Sequence, residues 1–546
     1  MTTNLAASIA DRAAASPALA IFRFLERGET EQEALSYAQL DHSARHLAGS
    51  LIERMGGERV LLVFEPGREF VEALVACLYA GIVAIPAPAP RRGASLQRLE
   101  GIIAGAGARF VLTSAALKAG FEAESSTGVL SGTKVVAFED LERGAAAPRM
   151  PGFDLKPEDP VFIQYTSGST LAPRGVVLNS ACVLANVGWT CRGTGFGASG
   201  PETFVNWMPH YHDMGLIGGL VIPLTMGFET VHLPPLAFIQ SPARWLQAID
   251  RYRGTSSGGP PLAYDLCVSR VSQDVLESLD LSCWRTAYCG AEPVFNSTLE
   301  GFARRFAGAG FDRSALFNVY GLAEVTVYAG GSPSPGPGDA AAEPLDRAPC
   351  HLDAESLQSI RIVSAEGKLV PDGSEGEIWI SHPSAAAGYL GDAEASERTF
   401  GQRLQEDDGR LYLRTGDLGI LSGSILTITG RIKDVLIRNG ANIAPADVER
   451  LATHGLPFLN RNGAAAFEGE GASAPIILLV ELERGVDFDA AQQAEATRSI
   501  RKSVADTLGI RIDEIGFVEP GALARTTSGK VQRSRVRAGW LAAAGQ

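Results

Sequence analysis

Between Arg59 and Thr113 the sequence alternates strand and helix patterns, and no other feature restricts the possible folds as much. RVLLVF reads as a strand, REFVEALVACLYAG as a helix with apolar residues at helical spacing, and IVAIP as a second strand. SLQRLEGIIAGAGA follows as a second helix with Ser95 as its N-cap, then RFVLTS as a third strand. Strands and helices alternating at this spacing imply parallel βαβ units with right-handed crossovers, so the expected class is α/β. PAPAPRR, from Pro86, must be extended or turn-like, because each proline restricts itself and the residue before it. At 546 residues the chain is too long for one small core, and two or more domains are expected.

The alternation continues with a weaker strand at Lys134–Phe138 and helical spacing from Ala181 to Trp189. A strand ends at Trp207, and His210, His212 and Asp213 then interrupt the apolar stretch MPHYHDMGLIGGLVIPLTMG. SPARWLQAIDRY predicts a helix with Ser241 as N-cap and Pro242 at its first position. LAYDLCVSRV and NSTLEGFARRFAGAG predict helices, and WRTAYCGAEPV a strand running into a loop. SALFNVYGLAEVTVYAGG predicts a strand, a loop and a further strand. Gly331 to Pro344 is rich in Gly, Pro and Ala and reads as a mobile surface loop. Short strands at Ile360–Val363 and in GEIWIS, RLYLRTGD and SILTITG predict a small antiparallel β-subdomain. Gly430 to Lys433 is the expected boundary, giving domains 1–430 and 431–546. Beyond it lie VLIR, a helix starting at Pro445, strands AAAFE and PIILLVEL, a long helix Phe488–Leu508 and a strand Ile515–Glu519. That pattern is α+β, and it ends in the polar, basic tail ARTTSGKVQRSRVRAGW.

Composition excludes several function classes. A formal net charge of −14 argues against nucleic-acid binding, which needs a basic surface. No apolar run approaches the roughly 18 residues that span a bilayer, so stable membrane insertion is not expected. The N-terminal MTTNLAASIADRAAASPALA lacks a basic leader followed by an apolar block, and the expected location is cytoplasmic. The seven cysteines are odd in number and form no CxxC pair, which points to reduced structural thiols rather than disulfides or a zinc site. A monomer or weak dimer is expected.

The stretch Val161–Val177, VFIQYTSGSTLAPRGVV, begins as a buried strand and breaks into Thr166, Ser167, Gly168, Ser169 and Thr170. Such a turn can offer several N–H groups and hydroxyls to one anion, and Arg174 adds a fixed positive charge. A polyphosphate suits it; so does an ordinary loop between two strands. No GxxxxGK[ST] occurs, which argues against a P-loop kinase or ATPase.

Five motifs follow one another along the chain: TSGST with Arg174, YGLAE (Tyr320–Glu324), RTGD (Arg414–Asp417), GRIKD (Gly430–Asp434) and TSGK (Thr527–Lys530). In this order they closely resemble the adenylate-forming superfamily of acyl-CoA synthetases, peptide-synthetase adenylation domains and luciferases. YHDMGLIGG, LAYDLCV, RFAGAGF and RTGDLG are similar to its fatty acyl-AMP ligase branch. The resemblance implies a large N-terminal domain of parallel βα subdomains with a small β-subdomain, followed by a small mobile α+β lid. It also implies activation of a carboxylic, fatty acid by ATP to acyl-AMP, with Mg²⁺, then transfer to the phosphopantetheine thiol of an acyl carrier protein. An acyl- or aryl-CoA ligase is the alternative, and a non-catalytic carrier-binding homologue a third reading.

The resemblance assigns roles by position. Thr166, Ser167, Gly168, Ser169, Thr170 and Arg174 would cradle phosphates, and Glu324, otherwise a plain loop carboxylate, would hold Mg²⁺. Gly290, Ala291, Glu292 and Pro293, with Asn318, Tyr320, Gly321 and Leu322, would enclose the adenine, and Asp417 with Arg431 would hold the ribose. Lys530 would reach the carboxylate and α-phosphate from the lid, and Lys433 would be the hinge. His212 reads by itself as a core histidine; the resemblance places it at the acyl–phosphate junction, where no base is needed because a carboxylate is already ionised. His210 and His232 remain structural. Met214–Met226, Phe238 and Leu262–Leu266 supply an acyl pocket or plain core. Gly391–Leu413 is longer than in typical CoA ligases, resembling an insertion that restrains lid rotation and favours a carrier as acceptor. Intact Glu324, Asp417, Arg431 and Lys530 speak against the non-catalytic reading. After Cys350, HLDAESLQSIRIV stands where the family usually has a Gly-x-Pro turn.

Overall fold

A computed structural model describes residues 4–32, 34–90, 97–124, 132–141, 150–166, 173–333, 345–438, 441–470, 474–526 and 529–544. Ser95, Ser167, Gly168, Ser169, Thr170, Thr527, Ser528 and the stretch 334–344 lie outside these residues.

The βαβ expectation holds. Arg59–Phe64 pairs in parallel with Val83–Pro88 on one side and Phe110–Thr113 on the other. Lys134–Ala137 extends the sheet beyond Phe110–Thr113, and Pro160–Tyr165 joins Val83–Pro88. Gly175–Asn179 then returns antiparallel to Pro160–Tyr165, so the chain around Thr166 and Arg174 connects two adjacent strands. The crossover helix Arg68–Ala80 is buried at every position from Phe70 to Ala80 and stops at Gly81, whose φ of 69° takes the left-handed cap. Its buried positions are apolar apart from Glu72, which pairs with Arg68, because the helix packs between layers, lying against the helix Tyr37–Met55.

A second sheet runs Leu316–Val319, Thr286–Gly290, Ser256–Gly259, Thr203–Asn206, Glu229–His232, Ala20–Glu26, Thr30–Glu31. Its first six strands are parallel neighbours. The chain beyond Gly290 and beyond Val319 therefore emerges at the carboxyl ends of two paired strands, where open α/β sheets place their ligands. A five-stranded antiparallel sheet follows, ordered Cys350–His351, Ile425–Arg431, Leu413–Ser422, Glu375–Ile380, Ile360–Val363. Within it Asp417 is paired in register with Arg431.

Residues beyond Arg431 build a separate core. Leu459–Glu468, Ile476–Leu482 and Glu514–Val518 form a three-stranded sheet. The helices Pro445–Thr453 and Ala490–Leu508 cover it through Val448, Ala452, Ile500 and Val504. No helix among the described residues is long and apolar enough to cross a membrane.

Several local expectations change. Ser241 ends the short helix Pro235–Gln240, its amide bonded to Ala237, while Ala243–Arg251 starts from Pro242 without a side-chain cap. No second strand follows YGLAE: Ala323–Val325 is a single 3₁₀ turn, Thr326 stands at φ 78°, and one bridge joins Tyr320 to Gly330. A helix, Ala354–Ser359, occupies the place of the Gly-x-Pro turn. Helices at Leu5–Ala15 and Arg533–Ala544 were not expected. The apolar run after Asp213 forms a π-helix, Met214–Val221, continued by Ile222–Met226. Its glycines are steric requirements: a Cβ on Gly215 would lie 2.0 Å from Pro209 O, and one on Gly219 1.9 Å from Asn206 Nδ2.

Candidate active site

One cavity of about 830 Å³ lies where the second sheet, the antiparallel sheet and the C-terminal unit meet. Its walls include Thr166, Arg174, His212, Ala291, Glu292, Pro293, Asn318, Tyr320, Gly321, Leu322, Glu324, Asp417, Arg431, Lys433 and Lys530. Of the described candidates for nucleotide, metal, hinge and catalytic roles, Gly290 alone does not line it; a Cβ there would lie 2.5 Å from Val319 O, so it sets the strand spacing that frames the loop.

The strand end at Gly290 hands over to Ala291 at φ 69°, a left-handed residue that turns Glu292 and Pro293 along the wall. Opposite it, Asn318 Nδ2 donates to Ala348 O at 2.9 Å. Asp417 is 6% exposed, and both its oxygens are engaged. The Tyr320 hydroxyl donates to Oδ2 at 2.9 Å and Arg431 Nε to Oδ1 at 2.6 Å. The strand pairing fixes this geometry, because residues opposite one another on an antiparallel ladder bring their side chains together.

Glu324, the last residue of YGLAE, sits on the 3₁₀ turn Ala323–Val325, and its Oε1 accepts from the Tyr389 hydroxyl at 2.8 Å. Burial raises its carboxyl above the usual range, a shift the Tyr389 hydrogen bond only partly offsets. A half-buried carboxylate on the cavity wall suits Mg²⁺, a hard ion that takes one or two carboxylates and completes its shell with phosphates and water. Glu324 would hold it; no cluster of three potential metal ligands occurs among the described residues.

Between the two strands, Thr166 N donates to Arg174 O at 3.0 Å. The Arg174 guanidinium lies over the Tyr389 ring at 5.2 Å and 3.5 Å from Asp392. Elsewhere on the wall, His212 Nδ1 is 2.6 Å from Asp213 Oδ1. Burial would raise the Asp213 carboxyl, but the adjacent His212 outweighs it and holds it low. Met214, Gly218, Ile222 and Leu262 line the cavity, whereas Phe238 is fully buried and stacks on Trp207 at 4.0 Å, so it belongs to the core. His210 and His232 are buried side by side, as structural residues.

Lys530 enters from the C-terminal unit, and its ammonium donates to the carbonyl of Ala291. Glu292 faces it; burial raises that carboxyl, and Lys530 and Arg533 pull it back. Lys433 lies in the turn just past Arg431, where Asp434 N and Val435 N both return to the Arg431 carbonyl.

No sequence signal points to the contacts that hold the C-terminal unit in this position. Arg347 Nη2 donates to Asp447 Oδ1, both side chains being almost fully buried. Arg450 donates to Ser297 Oγ, and Phe295 lies between the Arg347 and Arg450 guanidiniums at 5.2 and 4.9 Å. These residues come from distant segments and match no motif.

Strand-end residues, a carboxylate bonded through both oxygens at Asp417 and a lysine delivered by a separate unit meet in one cavity, the arrangement that the resemblance to adenylate-forming enzymes calls for. Comparison with known proteins agrees. The AMP-binding enzyme family model matches residues 9–390. A medium-chain fatty acid–[acyl-carrier-protein] ligase of Moorena producens is 36% identical, over 95% of this chain and 92% of the relative. A solved structure from work on fatty acyl-adenylate ligases of E. coli and L. pneumophila superposes with a TM-score of 0.84 at 30% identity, covering 99% and 98% of the two chains. The L. pneumophila enzyme in complex with acyl adenylate and pyrophosphate gives 0.73 at 30% identity, covering 99% and 96%. The chain belongs to the AMP-binding, adenylate-forming enzyme family, and its structural neighbours include fatty acyl-adenylate ligases.

Proposed function

We propose that this chain activates a fatty acid with ATP to acyl-AMP and passes the acyl group to the phosphopantetheine thiol of an acyl carrier protein. The observation that carries the reading is the convergence of Asp417, Glu324 and Lys530, from three separate parts of the fold, on one cavity. Residues 1–430 act as the adenylating domain and 431–546 as its lid, working in the cytoplasm where ATP is available.

In the first step a carboxylate oxygen attacks the α-phosphorus, the bond from that phosphorus to the bridging oxygen breaks, and the electron pair leaves with pyrophosphate. The protein's task is positioning and charge neutralisation. Asp417 accepts from the ribose hydroxyls and exchanges for them part of its present bonding to Tyr320 and Arg431. Residues 290–293 and 318–322 enclose the base, and Thr166 to Thr170 with Arg174 receive the β- and γ-phosphates. Lys530 leaves the Ala291 carbonyl and places its charge between carboxylate and α-phosphate. His212, fixed by Asp213, orients the carboxylate. Bound at Glu324, Mg²⁺ would screen the phosphate charge. In the second step the carrier's thiolate attacks the acyl carbonyl and AMP leaves, which requires Lys530 to withdraw as the lid turns about Lys433.

The test is ATP–pyrophosphate exchange across a panel of carboxylates, followed by presentation of CoA and of holo carrier protein in parallel. Exchange with fatty acids and acyl-carrier product are expected. Accumulation of acyl-CoA instead would establish the CoA-ligase alternative, and absence of exchange with every acid would refute the reading.

A further inference from the structure

The segment after Tyr389 was expected to act on the lid. In the structure its helix, Ala393–Thr399, packs on the catalytic side, against Gly388–Tyr389 and Leu413–Ser422. Gly388–Tyr389 pairs with Val176 and Val177 of the strand that follows Arg174. Just before it, Ala386 N donates to Glu324 O at 2.9 Å. The backbone thus stitches the phosphate-side strand to the Glu324 turn.

Tyr389 makes the same connection with its side chain. Its hydroxyl donates to Glu324 at 2.8 Å, and its ring face carries the Arg174 guanidinium at 5.2 Å. The ring is held in turn by the segment. Phe400 meets it edge-on at 5.3 Å, Ser396 Oγ accepts from Tyr389 N at 2.9 Å, and Asp392 lies 3.5 Å from Arg174 Nε. An arginine side chain reaching into a cavity has many rotamers, and a ring face with a carboxylate beside it removes most of them.

We propose that Tyr389 is the positioning residue of the phosphate subsite: one ring sets both the cation at Arg174 and the carboxylate at Glu324, and residues 392–400 are its buttress. This inference rests on the function proposed above in taking Glu324 and Arg174 to face the ATP phosphates. It assigns the segment a task in nucleotide binding that is separate from any restraint on lid rotation.

The decisive measurement is calorimetric binding of ATP to the full-length protein, without carboxylic acid, across a Mg²⁺ titration. Losing one hydrogen bond to a charged group costs roughly 10- to 100-fold. Tyr389→Phe should therefore shift the Mg²⁺ dependence of ATP binding upward by about tenfold or more while Mg²⁺-free binding stays unchanged. In pyrophosphate exchange the same variant should raise the KM for MgATP and leave that for the acid unaltered. Asp392→Asn, at an exposed pair, should weaken MgATP binding only about twofold to fivefold. Tyr389→Ala should lose more than Tyr389→Phe, because the ring under Arg174 also goes. Glu324→Gln separates the two readings. If it shifts the Mg²⁺ dependence and Tyr389→Phe does not, the positioning role is overturned while the function stands. If neither shifts it, both fall.

Discussion

The domain contact makes the sharpest prediction. Arg347 and Asp447 pair at 2.5 Å across it, with side chains 4% and 5% exposed, and Arg347 Nε and Nη1 have no partner among the described residues. Asp447→Asn keeps the size and removes the charge, leaving a buried guanidinium uncompensated. Breaking one side of such a pair costs about 3–5 kcal/mol. The molecule has a cheaper response than unfolding, because the C-terminal unit can swing away and let water reach Arg347. What then opposes opening includes the Arg450 contacts with Ser297, Asp346 and the Phe295 ring and the Lys530 bond to Ala291, worth about 1 kcal/mol per interaction. The penalty should therefore fall on docking, reducing the closed population roughly 100-fold or more. Pyrophosphate exchange, which needs Lys530 in the cavity, should drop by a similar factor, and X-ray scattering should show a larger radius of gyration at an unchanged thermal midpoint. The double variant Arg347→Met with Asp447→Leu should regain most of the loss, since no buried charge remains. Asp447→Asn with exchange within threefold of wild type and unchanged scattering would refute the argument.

Other outcomes follow from the same contacts. Lys530→Ala removes the cation the C-terminal unit places against Ala291 and should lower exchange by about 100- to 1000-fold with unfolding unchanged; near-normal adenylation would sink the assignment. Tyr320→Phe deletes the buried hydrogen bond to Asp417 Oδ2 and should raise the KM for ATP about tenfold, with that for the acid constant. Burial holds the His210 imidazole down to about 3, against about 6.5 when unfolded. The unfolded chain therefore takes up a proton that the folded one refuses: the His210 contribution is complete above pH 6.5 and lost progressively toward pH 3, about 2 kcal/mol by pH 5. His210→Phe should flatten the acid limb of the thermal midpoint against pH, and an unaltered limb would contradict the burial argument.

The sequence reads well where one residue's role is set by its neighbours in the chain. Helical spacing in REFVEALVACLYAG announced a helix, though not its burial on all sides, and Pro445 did mark a helix start. It misled where a distant group competes. The β-rich VTVY after YGLAE is not a strand, because it instead packs around the turn that presents Glu324; a Cβ on Gly321 would stand 1.7 Å from Val327 O. Ser241 has the right chemistry for a cap, but its backbone already closes the preceding helix.

By itself the sequence determined the α/β class, the order of subdomains and the motif residues that face the cavity, since periodicity and short motifs are local. Only the tertiary structure decided which of them meet. Tyr320 and Asp417 are 97 residues apart, Lys530 and Ala291 are separated by 239, and Arg347 and Asp447 by 100. Tyr389 shows the difference most clearly: in the chain it is one aromatic in GYL, and in the fold it joins Arg174 to Glu324. Contacts of that kind depend on strand register and domain docking, which no local pattern encodes.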